Sequence, residues 1–299
     1  MSLVRWMNNI CVLIPSFNRA NVIKSTLPTW LRSRWVSRII IVADATSDDE
    51  VGRYEEILVE LNKAYGGKIT YALNKGRLGS VMARNKLLKL AIECNCQYAI
   101  MADDDYVLPN PEHPARMAKW LKFNEVGAVG GRVIVVNKRA VDPDFFLNTP
   151  IPIADALTRA LGYIFLDVRN GPRYAEYLTP FYMIKRDLMD RVWYSNEYLG
   201  TAFREESDVH EQIRRLGYRL ILDPEVYVYH LGLEYGGNRA ETFMGNRLYW
   251  KARNHARFVR KWHKQPLKTW YLATGALILT LYRPWHLPII LKGLCDGLK

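Results

Sequence analysis

The sequence has few cysteines and no motif that would pair them. Four cysteines occur in 299 residues, and Cys94-x-Cys96 has neither redox-pair spacing nor the second pair that a zinc site needs. We therefore expect structural or incidental roles for all four, with Cys11 as a small core residue, and a reducing compartment. Residues 1–9 contain no long apolar segment, so we expect no signal peptide.

The tail has no apolar run long enough to span a bilayer. Residues 270–282 carry no charge, but a spanning helix needs about 20 residues. Trp, Tyr, Arg and Lys flank this run, as they do in interfacial segments, and the basic, aromatic segment 247–264 precedes it. We predict a helical tail that contacts a membrane surface peripherally.

Acidic side chains are also in deficit. Against 42 Lys and Arg there are 30 Asp and Glu, which gives a net charge of +12. This excess indicates an anionic partner: nucleic acid, a phosphorylated substrate or a membrane surface. No nucleic-acid reader motif is present and much of the excess lies in the tail, so we expect no nucleic-acid partner.

Strand and helix patterns alternate in the first half of the chain. Buried strands are predicted at 10–14, 38–42, 68–73 and 97–101. Helices are predicted at 20–31, 50–63 and 78–93. This alternation predicts an α/β fold with a mainly parallel sheet, in which ligands bind beyond the carboxyl ends of the strands.

Three polar clusters follow these strands, at 15–19, 44–49 and 103–105. We expect them to converge on one crevice. The irregular stretch 137–177 is typical of a lid or binding loop, with one helix at about 154–161.

Three adjacent aspartates after an apolar strand predict a cation site. Like charges at close range raise one another's pKa, and a divalent cation removes that penalty. We predict that Asp103 and Asp105 bind Mn²⁺ or Mg²⁺, whose shell substrate phosphates complete, and that Asp104 binds a sugar or ribose hydroxyl. A solvated acidic turn or a helix-capping cluster is the alternative.

Further motifs accompany this triplet. Val12-Leu13-Ile14-Pro15-Ser16-Phe17-Asn18-Arg19 is similar to the first strand and nucleotide-contacting turn of glycosyltransferase family 2. The chain resembles this family over about residues 10–230, and more weakly in the tail. The resemblance implies a GT-A (Rossmann-like) fold, a nucleotide-sugar donor, and donor contacts from five residues. These are Pro15, Ser16, Phe17, Asn18 and Arg19.

The second motif is Ile41-Val42-Ala43-Asp44-Ala45-Thr46-Ser47-Asp48. It departs from the family pattern, since Ala43 replaces the first aspartate and Ala45 a glycine. Asp44 retains the position that accepts from the base of the nucleotide.

The third motif pairs Asn74-Lys75-Gly76 with Ala83-Arg84-Asn85. Arg84 is expected to be a donor-side cation or a brace for the acidic loop, and a helix-surface charge is the alternative. Arg77 is the other candidate for the role of donor-side cation or brace.

The segment Glu205-Glu206-Ser207-Asp208 resembles the family's base motif. The resemblance places the catalytic base at Glu206, a Glu where Asp is usual, and Glu205 stays a competitor. Alternatively, these carboxylates only favour the start of a helix. His230 follows a Val-x-Val-Tyr strand in the position of the family's metal-binding histidine, so Asp103, Asp105 and His230 form the expected ligand set.

Together these features predict an inverting, metal-dependent glycosyltransferase of the hexosyltransferase type. The expected acceptor is a hydroxyl of a glycan or lipid-linked molecule in polysaccharide biosynthesis, at the cytoplasmic, inner face of the cell membrane. The alternatives are a polyprenyl-phosphate glycosyl synthase and a non-catalytic nucleotide-binding protein. We expect a GT-A domain at 1–245, with a donor half at about 1–136 and an acceptor half at about 137–245, and a membrane-associating segment at 246–299.

Overall fold

The described part of the chain is built around a central sheet. The computed structural model describes residues 9–136, 151, 153–166, 168, 171–233, 237 and 244–299. Within them the strands are β1 Ile10–Phe17, β2 Val36–Ala45, β3 Ile69–Lys75, β4 Tyr98–Met101, β5 Tyr106–Val107, β6 Val126–Val135, β7 Arg173–Ala175, β8 Tyr182–Lys185 and β9 Arg219–His230. The helices are α1 Ala20–Leu31, α2 Asp48–Ala64, α3 Ser80–Glu93, α4 His113–Trp120, α5 Ala154–Leu161, α6 Glu205–Arg215, α7 Met244–Trp262, α8 Leu267–Tyr282 and α9 Leu287–Leu298.

The strand order is β3-β2-β1-β4-β8-β6-β9-β5, with β7 paired to β9. Strands β3, β2, β1 and β4 are parallel neighbours. Strand β8 is antiparallel to both β4 and β6, whereas β6 and β9 are parallel. The predicted α/β fold is confirmed. Its parallel character belongs to the first half of the chain, and the sheet is mixed beyond β4.

The helices cover both faces of this sheet because side chains along a strand alternate between faces. Ile10, Val12 and Ile14 of β1 belong to one hydrophobic cluster, whereas Cys11 and Leu13 belong to the cluster on the opposite face. The first cluster includes buried residues of α1, α2 and α4, and the second includes residues of α3. The helix predicted at 154–161 is present as α5.

Cys11 and Cys96 form a disulfide, with their Cα atoms 5.8 Å apart. It joins β1 to the turn before β4. The expectation that cysteine usage indicates a reducing compartment is therefore wrong for this pair, because disulfides persist in oxidising surroundings. The residues are 85 positions apart, so spacing alone gave no sign of the pairing.

The tail is helical, as predicted, and its three helices share a core. Leu248 of α7, Leu279 of α8 and Ile290 of α9 are buried in one cluster. Helices α9 and α7 lie so close together that a Cβ at Gly293 would collide with the backbone of α7. Among the described residues, no helix is long and apolar enough to cross a membrane.

Candidate active site

The loops after β1 and β2 are joined at the carboxyl edge of the sheet. The backbone N–H of Asn18 donates to the Asp44 carbonyl at 3.1 Å. The Asn18 side chain donates to Thr46 Oγ1 at 2.9 Å and accepts from the Thr46 N–H at 3.0 Å. The parallel pairing of β1 with β2, which places Phe17 opposite Asp44, brings these two polar clusters together.

Asp44 holds the loop that follows β3. Its carboxylate accepts from Asn74 Nδ2 at 2.9 Å and from the backbone N–H groups of Leu78 and Gly79 at 2.7 and 3.0 Å. The residue is buried, with 3% of its surface exposed. An ionised carboxylate offers about four lone-pair sites, so these three contacts leave capacity for a ligand.

Asp104 is turned into the protein rather than outward. Ser16 Oγ donates to its Oδ2 at 2.6 Å, and Arg19 Nη1 donates to its Oδ1 at 2.9 Å. Burial, followed by repulsion from Asp105, raises the pKa of Asp104 to about 6. The structure thus gives Asp104 internal partners, and its predicted contact with a ligand hydroxyl stays a prediction.

Asp105 lies between Arg19 and His230. Its Oδ2 is 3.1 Å from Arg19 Nη1 and 3.2 Å from His230 Nε2. The cause is the short β5–β9 pairing, which sets Tyr106 opposite His230. Two of the three predicted metal ligands, 125 positions apart in sequence, are therefore neighbours.

Asp103 faces another arginine. Arg84 Nη2 donates to Asp103 Oδ1 at 2.8 Å, and its Nε donates to Glu205 Oε1 at 3.1 Å. The same Nη2 lies 3.5 Å from Glu206 Oε1. Burial opposes the charge of Arg84, but the neighbouring Asp103 and Glu205 outweigh it and hold the pKa of Arg84 well above its usual value. Of the expected roles for Arg84, this geometry matches the brace and not the surface charge.

Glu205 and Glu206 lie in different surroundings. Glu205 is buried and accepts from Ser80 Oγ at 3.0 Å. Burial, and then repulsion from Glu206, raises its pKa to about 8. The Glu206 side chain is 20% exposed, and that of Asp103 is 33% exposed. Glu206 is thus the carboxylate of the two that a substrate can reach.

Two polar partners were missed by sequence reasoning. The Tyr54 hydroxyl lies 2.7 Å from Ser16 Oγ and accepts from the Arg19 N–H at 2.8 Å. Ser80 lies one helical turn before Arg84 on α3, and both contact Glu205. The spacing of Ser80 and Arg84 was a usable signal, because residues four apart share a helix face. No such signal marked Tyr54, since a tyrosine on an amphipathic helix usually packs in the hydrophobic core.

A cavity of about 290 Å³ opens beside Ser80, at the start of α3. It lies between the start of α3 and the segment before α6. The residues that line it include Arg77, Ser80, Met82, Tyr198 and Leu199. The cavity thus lies between the loop held by Asp44 and the segment before α6, and Ser80 in its lining donates to Glu205.

The aspartate loop and His230 offer donor atoms for a divalent cation. Within the described ranges, no three His, Cys, Asp or Glu side chains are grouped as a metal site. Asp105 and His230 supply an adjacent oxygen and nitrogen donor, and Asp103 offers a partly exposed carboxylate two residues from Asp105. Carboxylate donors suit Mn²⁺, and Mg²⁺ binds through few carboxylates plus phosphates. The donor chemistry fits such a cation, while the grouping of all three stays a prediction.

Known structures share this architecture. A mannosyltransferase from Pyrobaculum calidifontis, solved with GDP-Man and Mn²⁺, aligns over 97% of this chain and 74% of its own at 19% identity, with a TM-score of 0.59. S. aureus TarS 1–349 aligns over 97% and 80% at 15% identity, with a TM-score of 0.61. GalNAc-T7, solved with UDP, GalNAc and Mn²⁺, aligns over 97% and 57% at 15% identity, with a TM-score of 0.65.

These identities establish the fold alone, and no curated protein matches the sequence. The family comparison goes further. The model of glycosyl transferase family 2 matches residues 11–190, which include β1, the Asp44 loop, Arg84 and the aspartate triplet. The chain therefore belongs to glycosyl transferase family 2 and is a glycosyltransferase with a GT-A-like fold.

Proposed function

We propose that the protein transfers a sugar from a nucleoside-diphosphate sugar to a hydroxyl acceptor, with inversion at the anomeric carbon and Glu206 as the base. The observation that carries this proposal is the contact of Arg84 with both Asp103 and Glu206. One buried cation holds a carboxylate of the donor-side triplet next to a partly exposed carboxylate of α6. The acceptor hydroxyl attacks as the diphosphate departs, so the aspartate triplet and α6 must both lie within reach of the same sugar.

The donor would lie along the edge where β1 and β2 end. Asp44 accepts from the nucleotide base with its remaining capacity, and residues 15–19 line the same edge. Asp103, Asp105 and His230 would hold Mn²⁺ or Mg²⁺, which when bound neutralises charge on the departing diphosphate. The Mn²⁺ in two of the similar structures supports the use of a divalent cation.

Glu206 acts on the acceptor. Its carboxylate takes the proton of the acceptor hydroxyl as that oxygen bonds to the anomeric carbon. The bond from that carbon to the diphosphate oxygen breaks, and its electron pair leaves with the diphosphate. Arg84 orients Glu206 for this step. Glu205 keeps its proton near neutral pH, because its pKa is about 8, and it supports Arg84 instead.

Nucleotide binding and two matched variants test this assignment. We expect a nucleoside diphosphate with Mn²⁺ to raise the melting temperature of the wild type, and Asp105→Ala to abolish the increase. Glu206→Gln should bind donor normally and lose about 100- to 10,000-fold in kcat, the usual contribution of a general base. The control is Glu205→Gln, which removes the neighbouring carboxylate and should lose much less. Full transfer activity of Glu206→Gln would refute the assignment of Glu206 as the base.

A lipid-linked acceptor is the further part of this proposal. Trp270, Leu277 and Leu281 of α8 are exposed by 52%, 58% and 71% and lie on one helix face, since their spacing of seven and four residues returns to the same side. Leu287 and Leu291 of α9 are also exposed. These apolar faces, in a basic tail, support peripheral contact with an anionic membrane.

Vesicle sedimentation tests the membrane contact. Leu281→Ser should reduce binding to vesicles that contain anionic lipid. Phe123→Ser is the control and should not reduce it, because Phe123 is an apolar residue that is 52% exposed and lies outside the tail. Equal binding of both variants would remove the membrane proposal. Transfer to a polyprenyl phosphate is the competing reaction, and it would be favoured if Glu206→Gln stayed active on a phosphate acceptor only.

A further inference from the structure

The helix that carries Glu206 is held by the tail through a buried carboxylate. Asp208, two residues after Glu206 in the first turn of α6, is fully buried. Its Oδ1 accepts from Tyr198 Oη at 3.0 Å and from Trp262 Nε1 at 2.7 Å. Lys261 Nζ lies 2.8 Å from both of its oxygens. The last two residues of α7 thus supply a cation and an N–H to the first turn of α6.

A second contact ties the start of α6 to the same tail. Arg204, which precedes α6, is buried and lies with its Nη2 2.8 Å from His255 Nδ1 on α7. His255 Nε2 lies 2.9 Å from the Tyr271 carbonyl on α8. Burial, followed by the charge of Arg204, lowers the pKa of His255 to about 3. The neutral ring therefore accepts from Arg204 at Nδ1 and donates to Tyr271 at Nε2.

These contacts bracket the carboxylates of the site. Arg204 lies immediately before Glu205, and Asp208 lies two residues after Glu206. Both are fixed to α7, although α7 begins beyond residue 243. The tail is thus packed into the part of the chain that places the base. Gln212 Nε2, on α6 itself, also donates to Asp208 Oδ2 at 2.9 Å. Loss of the Lys261 cation would leave a buried charge held by neutral donors alone, a strongly unfavourable state that a shift of the first turn of α6 would relieve.

We propose that Lys261 and Trp262 are positioning residues for Glu206, acting through Asp208. This proposal rests on the proposed function, in which Glu206 is the base. The tail then has a role in transfer that is separate from membrane contact. Displacement of a reacting group by about 1 Å costs up to about 100-fold in rate, so loss of this contact should lower kcat towards that limit.

Steady-state kinetics without vesicles test the proposal on the full chain. Lys261→Met should lower kcat by about tenfold to 100-fold and leave the KM for the donor near the wild-type value. Lys261→Arg, which keeps the charge and donors, should recover most of the loss. Lys24→Met is the matched control, because Lys24 forms an exposed ion pair with Glu60 at 3.7 Å and lies outside the site. Trp262→Phe keeps the ring and the Lys261 pair, so it serves if Lys261→Met does not fold.

A double-mutant cycle separates this proposal from the base assignment. In a Glu206→Gln background, Lys261→Met should cause little further loss of residual transfer, because both changes disable the same group. If Glu206→Gln is inactive while Lys261→Met and Trp262→Phe keep the wild-type kcat, only the positioning proposal fails. If Lys261→Met lowers both backgrounds equally, it acts elsewhere and the proposal is also wrong. Full activity of Glu206→Gln alone would overturn the base, and positioning with it.

Discussion

Two arginines divide the aspartate triplet between them. Arg19, in the loop after β1, contacts Asp104 and Asp105. Arg84, on α3, contacts Asp103 and the carboxylates of α6. Adjacent residues of one short loop therefore belong to separate ion clusters, which we call the Arg19 cluster (Arg19, Asp104, Asp105, His230) and the Arg84 cluster (Arg84, Asp103, Glu205, Glu206).

The clusters differ in what they join. The Arg19 cluster lies among strand ends, and Arg19 itself also donates to the Leu233 carbonyl at 3.2 Å. The Arg84 cluster connects α3, the aspartate loop and α6, and its arginine is 3% exposed. Both contain more carboxylates than arginines, and burial raises the pKa of Asp104 in the first and of Glu205 in the second. Under the proposed function, the Arg19 cluster supplies two of the three metal ligands, Asp105 and His230, whereas the Arg84 cluster supplies Asp103 and contains the proposed base, Glu206.

The largest effect should follow Arg84→Met. This change leaves Asp103 and Glu206 without their cation and removes a hydrogen-bond donor to Glu205, and loss of one partner of a buried pair costs about 3–5 kcal/mol. Urea unfolding should show that loss, together with loss of transfer. Arg77→Met is the control for the unfolding measurement, because Arg77 is an exposed cation over the Phe17 ring. A near wild-type unfolding midpoint for Arg84→Met would show that the Arg84 cluster does not join the three elements.

Sequence reasoning reached the fold because its signals are local. The strands predicted at 10–14, 38–42, 68–73 and 97–101 overlap β1 to β4, and the triplet follows β4 as expected. The choice among the roles of Arg84 was not local. Its partner Glu205 is 121 positions away, and only the packing of α6 against α3 decides between a brace and a surface charge. The Cys11–Cys96 pairing and the tie of Lys261 to Asp208 are hidden for the same reason.

Arg19→Met should have a smaller effect that a divalent cation offsets. Asp104 keeps its hydrogen bond from Ser16, and its raised pKa lets it take a proton, so we expect a loss of about 1–3 kcal/mol. If the Arg19 cluster accepts an added cation, Mn²⁺ should raise the melting temperature of Arg19→Met more than that of the wild type. Arg84→Met should show a smaller gain, because Asp103 is one proposed ligand, whereas Asp105 and His230 both lie in the Arg19 cluster. Equal Mn²⁺ responses in both variants would show that the two clusters do not differ in their capacity for an added cation.

The smallest effect should be the pH dependence of Glu205→Gln, because a neutral amide replaces a carboxyl group that is protonated near neutral pH. Folding raises the pKa of Glu205 from 4.5 to about 8, so its contribution to stability is present below the lower value and lost as pH rises through the upper one. Glu205→Gln lacks that loss. Its stability relative to wild type should therefore increase between about pH 5 and about pH 9 in metal-free buffer. Asp104 titrates in both proteins and cancels in the difference. A constant difference in unfolding midpoint would mean that Glu205 stays ionised beside Arg84, and the case for Glu206 over Glu205 as the base would then rest on exposure alone.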